Sequence, residues 1–418
     1  MLLVSYSDGG GGAGRAAYRL LQGLREQGVR AQMEALDLVS GDPAVQGPQT
    51  RFGTFAGLMR SSVDRLPLGV AMRGPRPMFS PAWLPERLAQ RVRRSAPEVV
   101  HLHWVSGGML RIESLARIAR PLIWTMHDMW TFTGGCHYDA GCGRYVEACG
   151  RCPVLGSSRQ SDLSRWVMRR KRRAWRGVPI TLVAPSRWLA DRARASSLFR
   201  DQTVQVIPNG LDLDRFQPVD PGLARRLLGV PPDRSYLLFG ALDPEGERRK
   251  GFGLLQAALQ RLAESGWRDR LDLLVVGSSA PAVPLELGLR TRYLGLLRDE
   301  LSMALALAAA DAVVVPSTQE NLPNMAVEAF ACGRPCVGFA VGGLPEIVED
   351  GANGRLARTL EPADLAQVIA WVLGDETRRL ALGRQARRKA EEAFDLRRMA
   401  RCYADLYREV IARAAATP

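Results

Sequence analysis

The sequence predicts an α/β protein built from two doubly wound halves, each a parallel sheet covered by helices. Three observations carry this expectation. Short runs rich in Val, Ile and Leu recur without polar alternation, as in strands buried on both faces. Helical patterns fill the intervals, so strand and helix alternate once before Pro208 and again after it. The 418 residues leave room for two or three domains at roughly 100–200 residues each.

In chain order, strands are expected at residues 2–5, 99–103, 122–126, 180–184, 204–207, 236–240, 271–277, 312–316 and 335–339. Helical spacing covers residues 15–27, 188–195, 253–263 and 365–373, and a last apolar stripe runs from about Phe394 through Leu396, Met399, Tyr403, Leu406, Tyr407 and Val410. Pro208, Asn209, Gly210 and Pro218 supply turn chemistry suited to an interdomain connection. The expected organisation is therefore residues 1–209, with a Cys-rich insertion at 134–156, then 210–393, then a terminal helix at 394–418. Residues 41–85, rich in Pro, Gly and Arg, read as an insertion with mobile loops.

Composition narrows the function. With 46% apolar and 24% charged residues the chain is outside the disordered regime. No apolar run reaches the roughly 18–20 residues of a membrane span. The start, MLLVSYS, lacks a basic leader region and reads as strand and turn, so a cytoplasmic location is expected. A net charge of +14 suggests an acidic partner: nucleic acid, anionic lipid or a phosphorylated small molecule.

Three loops at strand ends carry chemistry. Gly10, Gly11 and Gly12, between the first strand and helix, let backbone amides approach a phosphate or an acceptor, although neither GxxxxGK[ST] nor GxGxxG fits. In PSTQENLPNMAVEAFACGRP, a helix starting near Pro323 leaves Glu320 in the preceding loop and Glu328 roughly 7–8 Å along the axis. The amides of Asn321, Leu322 and Asn324 would face an anion there. Arg248, Arg249 and Lys250 follow a strand end, where open α/β sheets bind ligands, and suit a diphosphate.

Two further clusters stand apart. Cys136, Cys142, Cys149 and Cys152 have the ligand count of a structural zinc site, with a disulfide or plain thiols as alternatives and His137 as a substitute ligand. Cys332, Cys336 and Cys402 read as core residues. The stretch at 165–176 holds seven basic residues and two tryptophans, a composition suited to an anionic membrane surface or to a solvated helix.

Taken together, the glycine loop, HDMWTFTGGCHY, VIPNG, RRKG and E-x7-E followed by CGRP resemble the family 4 glycosyltransferases over nearly the whole chain. The HDMW block and the cysteines resemble the bacterial exopolysaccharide, colanic-acid-type branch. This resemblance implies the GT-B architecture, two Rossmann-like domains facing across a cleft with a C-terminal helix crossing back. It implies a retaining, metal-independent transfer of a sugar from a nucleotide-sugar donor to a lipid-linked or oligosaccharide acceptor, such as a polyprenyl-diphosphate-linked glycan. On the matching positions, Glu320 contacts donor-sugar hydroxyls, Glu328 holds the ribose diol, Lys250 neutralises the diphosphate, and His127 faces the reacting sugar with Asp128 beside it as an orienting or acceptor-binding group. The family's Gly-Arg pair is Gly240-Ala241 here, so Arg248 or Arg249 would supply the missing charge. The resemblance also places the protein peripherally on the inner face of the cytoplasmic membrane, with no nucleic-acid partner. The competing readings are a zinc-stabilised basic nucleic-acid-binding protein and another GT-B sugar-nucleotide enzyme such as an epimerase.

Overall fold

A computed structural model describes residues 1–48, 50–71, 77–240, 247–281 and 286–416. They fall into two compact units: Met1–Pro208 together with Arg397–Pro418, and Asn209–Leu396. Ala241 lies outside the described residues.

The first unit is built on a seven-stranded parallel sheet of order β3-β2-β1-β4-β5-β6-β7. Its strands are β1 (Leu2–Val4), β2 (Gln32–Glu34), β3 (Val45–Gln46), β4 (Val100–Leu102), β5 (Leu122–Thr125), β6 (Ile180–Ala184) and β7 (Val204–Val206). The central strands are buried throughout, with Leu3, Val4, Val100, Leu102, Ile123 and Leu182 at 0% exposure. The order reverses between β1 and β4, so the loops after these two strands diverge and leave a crevice at the carboxyl edge. The C-terminal helix Leu396–Ala416 packs in this unit. Its buried Met399, Ala400, Tyr403, Leu406, Tyr407 and Val410 recur at three- and four-residue spacing.

The second unit repeats the plan with order β10-β9-β8-β11-β12-β13. Here β8 is Ser235–Gly240, β9 Leu271–Val276, β10 Arg290–Gly295, β11 Ala312–Val315, β12 Cys336–Phe339 and β13 Gly354–Ala357. Side chains alternate between two cores. Leu238, Leu274, Val276, Val313 and Val315 join one, and Leu237, Phe239, Leu273, Val275 and Val314 join the other. A strand buried on both faces must be apolar at every position, which is why these runs show no alternation.

All nine expected strands are present. In place of mobile loops at 41–85, the structure has helices Arg51–Asp64 and Leu66–Ala71. The first is started by Thr50, whose side chain accepts from the Gly53 amide at 3.0 Å. Residues 49 and 72–76 of this stretch lie outside the described residues. Pro323 stands one position before its helix, Asn324–Ala331, rather than in its first turn.

Candidate active site

In the second unit the order reverses between β8 and β11, and the chemistry collects at the carboxyl ends of that pair. Arg248–Lys250 form a single tight turn. It is tied to the loop after β11 by Thr318 N–H donating to the Arg249 carbonyl at 2.8 Å. The approach requires glycine at 251: φ is +70°, and a Cβ there would lie 1.9 Å from the Pro316 carbonyl oxygen.

Fixed in this way, Lys250 Nζ donates to Glu320 Oε2 at 2.7 Å and Arg249 Nη1 donates to the same oxygen at 2.9 Å. Arg249 also reaches the Gln319 carbonyl at 2.8 Å and Glu247 at 2.5 Å. Burial pushes the Glu320 pKa up, but the charges of Arg249 and Lys250 outweigh it and hold the carboxyl well below the usual carboxylate range. Gly342, at φ +60°, allows the backbone to pass against the Glu320 carbonyl, where a Cβ would clash at 1.8 Å. Glu328 is fully buried on the helix Asn324–Ala331. Arg248 is exposed.

One expectation changes here. The Asn321 amide donates to Glu320 Oε1 at 3.2 Å and so does not face outward toward an anion. The Leu322 side chain packs into the apolar core, which does not bear on the role expected of its amide.

In the first unit, β1, β4 and β5 are adjacent, so the glycine loop, His103-Trp104 and His127-Asp128 share one edge. The amides of Gly9 and Gly10 close on Ser7 Oγ at 3.3 and 2.8 Å, and Ser7 Oγ donates to Asp37 at 2.8 Å. Gly10 is therefore not an open phosphate donor, because its amide is satisfied locally and a carboxylate stands behind it. Gly11, at φ +68°, begins the helix Gly11–Glu26, and Gly12 lies within its first turn.

His127 stands just beyond β5, and burial lowers its pKa to about 4 against the opposing pull of Asp128. Its Nε2 meets His103 Nδ1 at 3.0 Å. Asp128 was expected as an orienting or acceptor-binding group, and its contacts fit the first role: Oδ1 accepts from the Trp130 amide at 2.8 Å, and Oδ2 accepts from Trp104 Nε1 at 2.8 Å and His137 Nδ1 at 2.6 Å. With both oxygens committed to the protein, Asp128 organises the loop. His137 is likewise excluded as a metal ligand, since it is fully buried with Nδ1 on Asp128 and Nε2 on Ser80 Oγ at 2.9 Å.

Cys136, Cys142, Cys149 and Cys152 are free thiols that line one cavity of about 10 Å³. Burial pushes all four thiols above the ordinary cysteine value. Among the described residues no group of three or more His, Cys, Asp or Glu side chains stands in an arrangement that could hold a metal ion.

Of the basic stretch, Lys171 and Trp175 turn inward. Lys171 is fully buried, donates to the Trp130 and Thr133 carbonyls and lies 3.8 Å from the Trp130 ring centre. Burial brings its ammonium down to about 7. Arg170 binds Glu113 at 2.7 Å. Trp166, Arg169, Arg173 and Arg176 are exposed. Among the described residues no helix is long and apolar enough to cross a membrane.

Two parallel-sheet Rossmann-like units, each with polar side chains at its strand-order reversal, define the GT-B class of glycosyltransferase folds. Residues 10–215 match the model of Glycosyltransferase Family 4, and residues 233–375 match Glycosyl transferases group 1. A D-inositol 3-phosphate glycosyltransferase of Xylanimonas cellulosilytica is 32% identical over 335 residues, covering 76% of this chain and 73% of that one. The chain belongs to glycosyltransferase family 4. The protein of the same name from Geodermatophilus obscurus is 42% identical over 199 residues, a stretch spanning 44% of this chain and only 43% of the relative's length. Among solved structures, sucrose-phosphate synthase from Thermosynechococcus elongatus has a TM-score of 0.71 at 21% identity, over 99% of both chains. Anabaena HepE in complex with UDP-glucose has a TM-score of 0.66 at 19% identity, over 98% of this chain and 99% of that one. At such identities these likenesses speak to the fold.

His103, Trp104, Ser7 and Asp37 were not singled out by sequence reasoning. The signal for the first two was the motif HLHW, a His-x-His pair running off the end of a buried strand.

Proposed function

We propose that the protein transfers a sugar from a nucleotide-sugar donor to an acceptor, with retention at the anomeric carbon. The observation that carries this reading is the meeting of Lys250, Arg249 and Glu320 on one carboxylate oxygen at the β8/β11 reversal. Breaking the glycosyl–phosphate bond puts negative charge on the departing diphosphate, and preorganised cations stabilise it. Lys250 and Arg249 would exchange Glu320 for the diphosphate, which frees the carboxylate for donor-sugar hydroxyls. Glu328 would take the ribose diol. His127, neutral at physiological pH, would donate a hydrogen bond to the sugar, and the acceptor hydroxyl would attack from the face the diphosphate leaves. The HepE complex with UDP-glucose supports a nucleotide-sugar donor on this fold.

Two acceptor classes follow from different observations. The exposed Trp166 and arginines support a polyprenyl-diphosphate-linked glycan met at an anionic membrane surface, in exopolysaccharide synthesis. The names of the relatives support an inositol phosphate. For the cysteine cluster we propose one structural zinc, held by Cys136, Cys142, Cys149 and Cys152 once their side chains turn into the cavity they line. That all four thiols line one cavity supports it.

The test is product analysis. The full chain is incubated with UDP- and GDP-sugars and either an inositol phosphate or a polyprenyl-diphosphate glycan, followed by mass spectrometry. Transfer to one acceptor selects between the two classes. An epimerised sugar with no nucleotide released would overturn the transferase reading.

A further inference from the structure

The carboxyl edge of the first sheet holds a pair of histidines, His103 buried and His127 half-buried, whose hydrogen-bond accounting is incomplete in an informative way. His103 is pinned from both sides: its amide donates to the Val4 carbonyl at 2.9 Å, and its carbonyl accepts from Trp124 Nε1 at 3.0 Å. Its ring lies against His101, with centroids 4.2 Å apart. His101 in turn is held at both nitrogens, by Tyr407 OH at 2.7 Å and Thr125 Oγ1 at 2.8 Å, and Thr125 is held by Tyr403 OH at 2.8 Å. In this setting His103 Nδ1 lies 3.0 Å from His127 Nε2. Burial keeps both rings neutral, so a single proton lies between the two nitrogens.

Which ring owns that proton is decided at the far nitrogen of His103. Its Nε2 is buried and has no hydrogen-bond partner. If that nitrogen carried the proton, a donor would be orphaned in the interior. If Nδ1 carries it, only a lone pair is orphaned, and buried orphan donors are much the rarer of the two. The His103 proton therefore sits on Nδ1, which donates to His127 Nε2.

We propose that His103 is a positioning residue that locks His127 in the tautomer protonated at Nδ1. The Nε2 lone pair of His127 is then consumed and cannot act as a base, whereas its Nδ1–H becomes a donor of fixed direction. That this donor serves the sugar rests on the transferase reading; the tautomer itself does not.

The experiment reads long-range proton–nitrogen correlations of the histidine rings in the uniformly labelled full chain. The sequence has only four histidines, so one substitution each assigns them. At about pH 7.5, where an ordinary histidine is neutral, His127 should show a protonated Nδ1 and a bare Nε2. A protonated Nε2 on His127 overturns the proposal whether or not the protein transfers sugar. His103→Asn retains an N–H near the Nδ1 position and should keep both the tautomer and most of the turnover. His103→Leu should release His127 to the other tautomer and lower kcat about 100-fold with little change in donor KM, the scale of losing one preorganised donor. Equal losses in the Asn and Leu variants, with melting temperatures like the parent's, would also overturn it. If the Leu variant does not fold, the parent spectrum and the Asn variant still decide.

Discussion

Glu320→Gln separates the two tasks proposed for this carboxylate. Its Oε2 now receives Lys250 at 2.7 Å and Arg249 at 2.9 Å, so a diphosphate must compete with it for both cations. An amide of the same shape keeps a hydrogen bond to each cation but removes the ion pairing, which contributes up to about 1 kcal/mol per pair. The variant therefore makes the pair of cations easier to recruit by up to roughly 2 kcal/mol. At 1.4 kcal/mol per factor of ten, nucleoside diphosphate affinity should rise about 30-fold. Lys250 is 29% exposed, so solvent screening makes this an upper figure. Turnover should move the opposite way, by about 10- to 100-fold, because the sugar hydroxyls lose a charged acceptor. Calorimetric titration of the variant with UDP, GDP and ADP gives the first quantity, and a transfer assay at saturating donor gives the second. Unchanged or weaker nucleotide binding in Glu320→Gln would refute the competition, and with it the idea that Lys250 and Arg249 serve a diphosphate.

Lys250→Ala and Arg249→Ala should each depress turnover at least about tenfold, the cost of one charge-assisted contact, whereas Arg248→Ala should stay near parent activity because that side chain faces solvent. Parent-like turnover in Lys250→Ala would move the diphosphate elsewhere. Stability should fall in mild acid: His101 and His103 are kept neutral with folded pKa values well below the unfolded value near 6.5, so the unfolded chain binds more protons below that pH. Their contribution is complete above about pH 6.5 and shrinks as pH falls toward the folded values, by about 3 kcal/mol for the pair between pH 7.5 and 5.5. Urea denaturation at those two pH values measures it, and an equal midpoint would show the rings to be solvated. Elemental analysis of protein purified without chelator should find close to one zinc per chain, lost on Cys149→Ser; four titratable thiols and no zinc would remove the metal proposal.

How much was legible follows from where each residue sits. Eight of the nine strands that could be read are interior ones, where burial on both faces forces unbroken apolar runs; β7, at the sheet's edge, was read from Val204, Val206 and Ile207. β2, β3, β10 and β13 were missed for the opposite reason: they are edge or near-edge pieces as short as two residues, and β10 carries Arg290, Thr291 and Arg292. Glu320 and Lys250 stood out because charged residues clustered in a loop between apolar strands are conspicuous. Asp128 was left open between an orienting and an acceptor-binding role because its partners, Trp104, Trp130 and His137, arrive partly from another strand end, and a sequence does not display hydrogen bonds already spent. Lys171 looked like one member of a basic surface until the Trp130 and Thr133 carbonyls drew it inside.

The passage of the chain out of the first unit and back into it at Arg397 bears on the order in which the protein can fold during synthesis. Asn209–Leu396 is continuous, so it can close as soon as its own residues have left the ribosome. The first sheet is made earlier but must wait for Tyr403 and Tyr407, the last partners of Thr125 and His101. Domains usually fold in the order they are made. Here the first-made half would be the last to finish, holding an open polar interior while the whole second half is translated, and would be the half more in need of a chaperone.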